Sequence, residues 1–335
     1  MLELALIFPL VVVATIVALS LARRGPFRTL AIEDVHRQSA EWATRRIRLR
    51  NAIAMTAAVV FAAISNAVAI FSMQSTDPLV PVDPLHWFLL TPMLTAIVTI
   101  AFFALVPTFR EAGEIRSAEL TRRTPLMFGP RTTFAVPIVA AVVLIALVVA
   151  CGIIANVDGR MFIYDNGPSG GFPGFAYGVP LLIGVALLAA ATALALVRIA
   201  SAPRPTDPSL READSTVRLL AIRVTMKTVS AAVALTTGFL LLWSGSTAES
   251  MARQSRIDVT GDLIPTDATL QVIGVAGTIG ICVGIAFVVA TIVFVVGAVS
   301  DGTRKPFEAV SVAPKDAPTG AEQAAQPVPH AGTGS

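Results

Sequence analysis

Seven apolar stretches, each long enough to cross a bilayer, dominate the pattern of hydrophobic and polar positions along the chain. They cover residues 4–21, 52–73, 86–106, 134–155, 176–197, 224–243 and 270–297. A hydrocarbon core of roughly 30 Å needs about 20 helical residues to cross it. Because lipid offers no hydrogen bonds to the backbone, apolar runs of this length are helical. The pattern therefore predicts an all-α fold, a polytopic transmembrane bundle of seven helices.

Charged side chains lie almost wholly in the connections, with only Lys227 just inside a stretch. Of the 25 Lys and Arg residues, 22 fall on one side of the predicted bundle and three on the other. Since cytoplasmic connections carry the excess of Lys and Arg, the basic side is predicted to be cytoplasmic. The N-terminus is then outside and the C-terminus inside. An odd number of spans also requires the two termini to lie on opposite sides of the membrane, so the number of spans agrees with the distribution of basic residues.

The first stretch has an alternative reading as a cleaved signal peptide. Its leading residues Met1, Leu2 and Glu3 carry no positive side chain, whereas a signal peptide begins with one. Cleavage would also leave the arginines of the next connection outside. We therefore predict an uncleaved anchor with its N-terminus outside.

Composition agrees with a membrane location. The 335 residues are 55% hydrophobic and 14% charged, whereas soluble domains carry roughly a quarter charged residues. Arginine greatly outnumbers lysine and alanine and valine are abundant, a bias typical of GC-rich bacterial genomes, so we predict a bacterial plasma-membrane protein. Residues 1–300 form the predicted bundle. Residues 301–335 are poor in large apolar side chains and are predicted to be a disordered cytoplasmic tail.

Three basic segments resemble one another: Arg37–Arg46, Arg116–Arg123 and Arg211–Arg218. Each combines an acid, a Thr and arginines ahead of an apolar stretch. The pattern indicates either a threefold parallel repeat of helical hairpins, over residues 37–106, 116–197 and 211–297, or similarity by composition alone. Acids such as Asp214 are spaced to pair with Arg218 on the surface of a helix.

These segments also supply a hypothesis for partner binding. Arginines beside an anionic leaflet contribute to membrane attachment, and the same surface could dock another membrane or cytoplasmic protein. The alternative is that the arginines only fix the topology and extend to the headgroups. The candidate docking residues are Arg45, Arg46, Arg48, Arg50, Arg122, Arg123 and Arg218.

Helix packing is predicted at two places. Gly277, Gly280 and Gly284 recur on one face of the last stretch, where small residues let another backbone approach closely. Asn66 is a buried amide that is expected to bond across helices. Thr95 and Thr99 in the third stretch can bond to their own helix and so require no ligand.

No motif for a known chemistry is present. The three histidines lie in different parts of the predicted topology, and Cys151 and Cys282 each lie in an apolar stretch without a partner at metal-ligand spacing. No catalytic residue, cofactor or metal site is predicted. The arginines flank the spans rather than forming a basic domain, so nucleic acid is not an expected partner.

Three classes of function stay open on this pattern. The first is a non-enzymatic membrane component that docks or scaffolds a partner through its basic segments. The second is a transporter or permease subunit, which predicts a polar cavity near the middle of the membrane, and few residues of the spans could line one. A membrane enzyme requires convergent ionisable groups, and no such clustering supports it.

Overall fold

Six helices make up almost all of the described structure. The computed structural model describes residues 30–32, 37–74, 84–104, 130–155, 159–163, 169–202, 208–253, 256–257, 263–264, 268–303 and 307–309. The helices are α1 (Arg37–Gln74), α2 (Pro84–Phe103), α3 (Arg131–Ile154), α4 (Phe175–Ser201), α5 (Pro208–Arg253) and α6 (Ala268–Thr303). The all-α prediction is confirmed for this part of the chain.

Three short strand pairs add to the helices in ways that the sequence did not predict. Strand β1 (Leu30–Ile32) pairs in parallel with β6 (Phe307–Ala309). The antiparallel pairs are β2 (Met161–Ile163) with β3 (Ser169–Gly171), and β4 (Arg256–Ile257) with β5 (Leu263–Ile264). Because α6 runs to Thr303 and β6 follows it, regular structure passes the boundary predicted at residue 300. Residues 310–335 of the predicted tail lie outside the described residues.

Among the described residues, five helices contain segments long and apolar enough to cross a membrane. These segments are Leu85–Phe103, Arg131–Ile154, Phe175–Ser201, Asp214–Arg253 and Ala268–Gly302. In α1 the apolar segment is the shorter Leu49–Ser65, and the predicted stretch 4–21 lies outside the described residues. Five apolar helices support an integral membrane protein, whereas the count of seven spans and the orientation stay predictions.

Two helices are much longer than a bilayer requires. Helix α1 has 38 residues and α5 has 46, which correspond to about 57 and 69 Å at the α-helical rise. Their apolar segments begin well after their first residues, so both helices continue into the arginine-rich connections. These extensions explain why helix boundaries exceed the predicted stretches.

Helix α5 is the centre of the bundle, because it packs against α2, α3, α4 and α6. Helix pairs that are consecutive in the chain, α1 with α2, α3 with α4 and α5 with α6, also pack together. This arrangement is the one expected of three hairpins, and their origin by duplication stays a prediction. The interior between α2, α3, α4 and α5 is filled by apolar side chains such as Met93, Leu144, Leu181 and Val233.

The helices alternate in direction, which gives the bundle two distinct ends. At one end Asn51, in the first half of α1, meets the end of α6, and the early part of α5 meets the end of α4. We call this the basic end, and Arg50, Arg218 and Lys227 belong to it. At the opposite end, His86 stacks on Tyr177, and Tyr177 meets the edge of Trp243.

The exterior of the bundle is apolar, and several polar side chains lie among the apolar ones of its interior. Ile153 on α3, Leu194 on α4 and Val272 on α6 are exposed, whereas Thr236 and Thr237 of α5 are completely buried. An exposed apolar surface of this extent is not typical of a soluble monomer. Hydrocarbon surrounding these helices accounts for the arrangement.

Glycines bring α5 and α6 into direct backbone contact. A Cβ atom added to Gly277 would lie 2.6 Å from the carbonyl oxygen of Gly245, and one added to Gly284 would lie 3.0 Å from that of Gly238. A Cβ atom on Gly280 would lie 3.6 Å from the nearest atom, an ordinary contact. Thus Gly277, Gly280 and Gly284 lie on the face of α6 that packs against α5, and only some of these positions require glycine.

Candidate functional site

A cavity of about 380 Å³ lies between α1, α2, α5 and α6. Each of the four helices contributes one face to its wall. The lining residues are Met55, Ala58, Val59 and Ala62 of α1; Phe88, Thr91, Pro92, Thr95, Ala96 and Thr99 of α2; Thr228, Ala231, Ala232, Leu235 and Phe239 of α5; and Thr291, Val295 and Ala298 of α6. The transporter class predicts a polar cavity, whereas this one is mostly apolar, and its position was not predicted from the sequence.

The chemistry of the lining is apolar with a few hydroxyl groups. None of the described lining residues is charged. The hydroxyls of Thr91, Thr99, Thr228 and Thr291 each donate to the carbonyl four residues earlier in their own helix, at 2.7 to 3.0 Å. This pairing satisfies the hydroxyls without an outside partner. A site of this kind favours apolar molecules over ions and sugars.

Thr95 is the exception among these threonines. Its hydroxyl oxygen is buried and has no hydrogen-bond partner among the described residues. Thr91 and Thr99, one turn away on either side, are both paired. The prediction that these hydroxyls bond to their own helix holds for Thr99 and is wrong for Thr95.

Some residues of the cavity wall are also exposed on the outside of the described bundle. Val59 of α1 and Val295 of α6 line the cavity and are also 66% and 43% exposed. Phe88 of α2 lines it as well and is partly exposed. In a membrane, exposed apolar side chains such as these would face hydrocarbon.

The basic end closes the cavity with one apolar layer. Ala54, Phe103, Val224 and Ala298 form a buried cluster there, one from each of the four helices. Ala298 belongs both to this cluster and to the cavity wall. The layer therefore separates the cavity from the polar groups at the basic end.

A polar layer beyond this cluster joins α1 to α6. The buried side chain of Asn51 donates to the carbonyl of Gly302 at 2.5 Å. Arg50 donates to the side-chain oxygen of Asn51 at 3.0 and 3.2 Å, and its guanidinium lies 5.6 Å from the centre of the Phe103 ring. The role of Asn51 was not predicted from the sequence, where it is an amide just before an apolar stretch.

An ion pair joins α5 to α6 in the same layer. The ammonium of Lys227 lies 2.7 Å from a carboxylate oxygen of Asp301 and donates to the carbonyl of Gly297 at 3.1 Å. The pair explains why a lysine is tolerated inside a predicted span. The ion pair of Asp301 could not be predicted from the sequence, because its partner Lys227 is 74 residues away.

Arg218 is engaged within the chain instead of pointing outward. The residue is 0% exposed, and its guanidinium binds both carboxylate oxygens of Asp214 at 2.8 and 3.1 Å. It also donates to the carbonyls of Ile199, Ala200 and Ala202 at the end of α4, at 2.8 to 3.1 Å. The pair that the sequence places on a helix surface is thus buried between helices. Its guanidinium is not exposed for a headgroup or a partner protein.

The other candidate docking residues are only partly within the described structure. Arg45 is exposed on α1, whereas Arg50 is half-buried against Phe103. The side chains of Arg46, Arg48 and Asn66 lie outside the described part, as do Arg122 and Arg123 entirely. The docking surface and the bond expected of Asn66 therefore stay predictions.

The described residues show no metal-binding group, and comparisons with known proteins supply no relative. Among the described residues, no group of three His, Cys, Asp or Glu side chains is placed to hold a metal ion. Comparisons with protein-family models, with curated proteins and with solved structures find no match to this chain. The cavity and the basic end are therefore the two candidate functional sites.

Proposed function

We propose that this protein is a non-enzymatic membrane protein that binds a small molecule dissolved in the bilayer, inside the cavity between α1, α2, α5 and α6. The observation that carries the proposal is the uncharged, largely apolar lining of that cavity. Pockets that bind small molecules commonly measure about 300–1,000 Å³ and are mostly apolar with a few polar groups. A cavity of about 380 Å³ falls at the small end of that range.

The exposure of part of the lining supports entry from the membrane. Val59 and Val295 line the cavity and also belong to the exposed apolar surface. At the basic end, the cluster around Phe103 and the contact between Asn51 and Gly302 block a route to that side. Binding of this kind is a step that a transporter or permease subunit requires. Ions and sugars are disfavoured as its solutes, because no described lining residue would offset their loss of water.

Filling the cavity should abolish binding. The Ala96→Phe and Ala58→Phe variants each add a ring to a different wall, on α2 and α1 respectively. A diazirine-labelled dodecane in nanodiscs is expected to label the peptide with the buried Ala231 and Ala232 in the wild type. In each variant we expect that labelling to fall about tenfold or more, the change that roughly 1.4 kcal/mol produces. Mass spectrometry of the digested protein measures it.

A matched control is available on the exposed surface. Ala146 is exposed on α3 and lies outside the cavity, so Ala146→Phe adds the same ring without filling the site. Its labelling at Ala231 and Ala232 should equal that of the wild type. Labelling that persists in both cavity variants, or that never occurs in the wild type, would refute the proposal.

A second candidate function is docking of an anionic membrane surface or a partner protein by the basic end. The observation that favours it is the length of α1 and α5, whose helical extensions carry arginines beyond the apolar segments. Arg45 is exposed on the extension of α1. Arg218 is not part of the proposed docking surface because its side chain is buried. For docking inside a cell, the basic end must be cytoplasmic.

We also propose the finer topology that this docking requires: seven spans in a bacterial plasma membrane, with the N-terminus outside. Support comes from the 22 of 25 Lys and Arg residues on one predicted side and from the alternating helix directions. In a Cys151→Ala, Cys282→Ala background, Ser169→Cys is expected to react with an impermeant maleimide on intact cells. Ser39→Cys should react only after the cells are opened. The reverse pattern would overturn the orientation and the docking proposal together.

A further inference from the structure

Three threonines at positions 91, 95 and 99 line the cavity from one face of α2. Thr91 donates to the carbonyl of Trp87 and Thr99 to that of Thr95, both at 2.7 Å. The hydroxyl of Thr95 is buried without a partner among the described residues. A buried donor that makes no hydrogen bond is costly, and such groups are rare in folded proteins. Thr95 therefore lacks the hydrogen bond that Thr91 and Thr99, one turn away on either side, both make.

We propose that the Thr95 hydroxyl is the polar contact for the ligand, and that the ligand is a neutral molecule with an apolar body and one alcohol or carbonyl oxygen. This inference rests on the proposed function of the cavity. Thr95 lines the cavity, and its hydroxyl would donate to the ligand's oxygen. Threonine in a helix occupies two rotamers, so the hydroxyl can change direction without a change in the backbone.

The ligand is neutral because nothing in the described lining would stabilise an ion. A carboxylate or an ammonium would lose its water and gain no counter-charge. Lys227 precedes the lining residue Thr228, but its ammonium is already bound by Asp301 and the carbonyl of Gly297. An alkane would fit the apolar wall and leave Thr95 unpaired. A neutral oxygen satisfies both the wall and the hydroxyl.

The test compares three variants with two probes of equal chain length. Thr95→Val keeps the branched shape and removes the hydroxyl, Thr95→Ser keeps the hydroxyl, and Thr99→Val removes one that is already paired. Diazirine-labelled dodecanol and diazirine-labelled dodecane are titrated into nanodiscs that contain each protein. Labelling of the peptide with Ala231 and Ala232 reports occupancy of the cavity.

We expect the wild type to bind the alcohol more tightly than the alkane. Thr95→Val should weaken the alcohol about tenfold, the scale of one hydrogen bond in an apolar site, and change the alkane less than about twofold. Thr95→Ser should behave as the wild type with both probes, and Thr99→Val should keep the wild-type preference for the alcohol over the alkane. This combination separates a hydrogen bond from a change in packing.

Each contrary result has a distinct meaning. Equal binding of both probes by the wild type, or equal loss of both in Thr95→Val, overturns the role of Thr95 and leaves the cavity as an apolar site. An effect of Thr99→Val as large as that of Thr95→Val overturns it too. Absence of cavity labelling by either probe in the wild type overturns the proposed function as well.

Discussion

Replacing Arg218 with methionine is expected to destabilise the fold by about 3–5 kcal/mol, the cost of breaking a buried ion pair from one side. Arg218 is 0% exposed and Asp214 is 4% exposed. The variant would leave the Asp214 carboxylate without its guanidinium, and it would also remove the donors to the last carbonyls of α4. Those carbonyls have no partner within their own helix. Thermal unfolding of the detergent-solubilised protein measures the loss.

Two further variants separate the causes of that loss. Arg211→Met removes an exposed arginine from the same helix and should stay within about 0.5 kcal/mol of the wild type. The double variant Arg218→Met, Asp214→Leu removes the stranded charge and should recover part of the stability, because replacing both partners of a buried pair by apolar groups is often tolerated. Wild-type stability in Arg218→Met would show that the buried pair does not hold α4 to α5.

Arg218 also illustrates how far the sequence predicts this site. Its pairing with Asp214 was predictable, since residues four apart share a helix face. Its burial was not, because the carbonyls that complete its environment belong to α4 and depend on how two helices pack. Arg218 was predicted to belong to a docking surface because it is one of several arginines beside a predicted span. Charge alone does not distinguish an arginine that faces lipid headgroups from one that caps a neighbouring helix.

The helices themselves were more accessible to prediction than their contacts. Apolar runs near 20 residues long identify membrane helices because the bilayer requires that length. The sequence pattern predicted a helical segment at Arg211–Arg218 ahead of a span that begins at 224, and the structure joins the two in one helix from Pro208. Hydropathy indicates where the hydrocarbon begins, whereas the helix extends past that point and includes the buried pair of Asp214 and Arg218.

Interactions between residues that are far apart in the chain could hardly be predicted from the sequence. Asn51 and Gly302 are 251 residues apart, and their bond depends on the meeting of α1 and α6. Thr95 and Thr99 are the same residue type one turn apart, yet only Thr99 is paired within the helix. Such differences arise from local rotamers and packing. A single sequence therefore identified the class of protein better than it identified the cavity.

The second large effect is expected at the contact between α5 and α6. Gly277→Ala should destabilise the protein by about 1–3 kcal/mol, the usual cost of overfilling a packed interface. The added methyl group would lie 2.6 Å from the carbonyl oxygen of Gly245 and 2.8 Å from the backbone nitrogen of Glu249. Both are backbone atoms, so the two helices must separate to admit it. Thermal unfolding in detergent reports the change.

Gly280→Ala is the matched control, one turn away on the same face of α6. Its methyl group would lie 3.6 Å from the Cα atom of Gly245, where an ordinary contact forms. Alanine in a helix interior is favoured over glycine by about 0.5–1 kcal/mol, so this variant should be as stable as the wild type or more stable. Gly238 and Gly245 on α5 share the seven-residue spacing of Gly277 and Gly284 on α6, and this match of spacings was a signal for the interface in the sequence. If both alanine variants proved equally stable, the close approach of the two backbones could not be what holds α5 to α6.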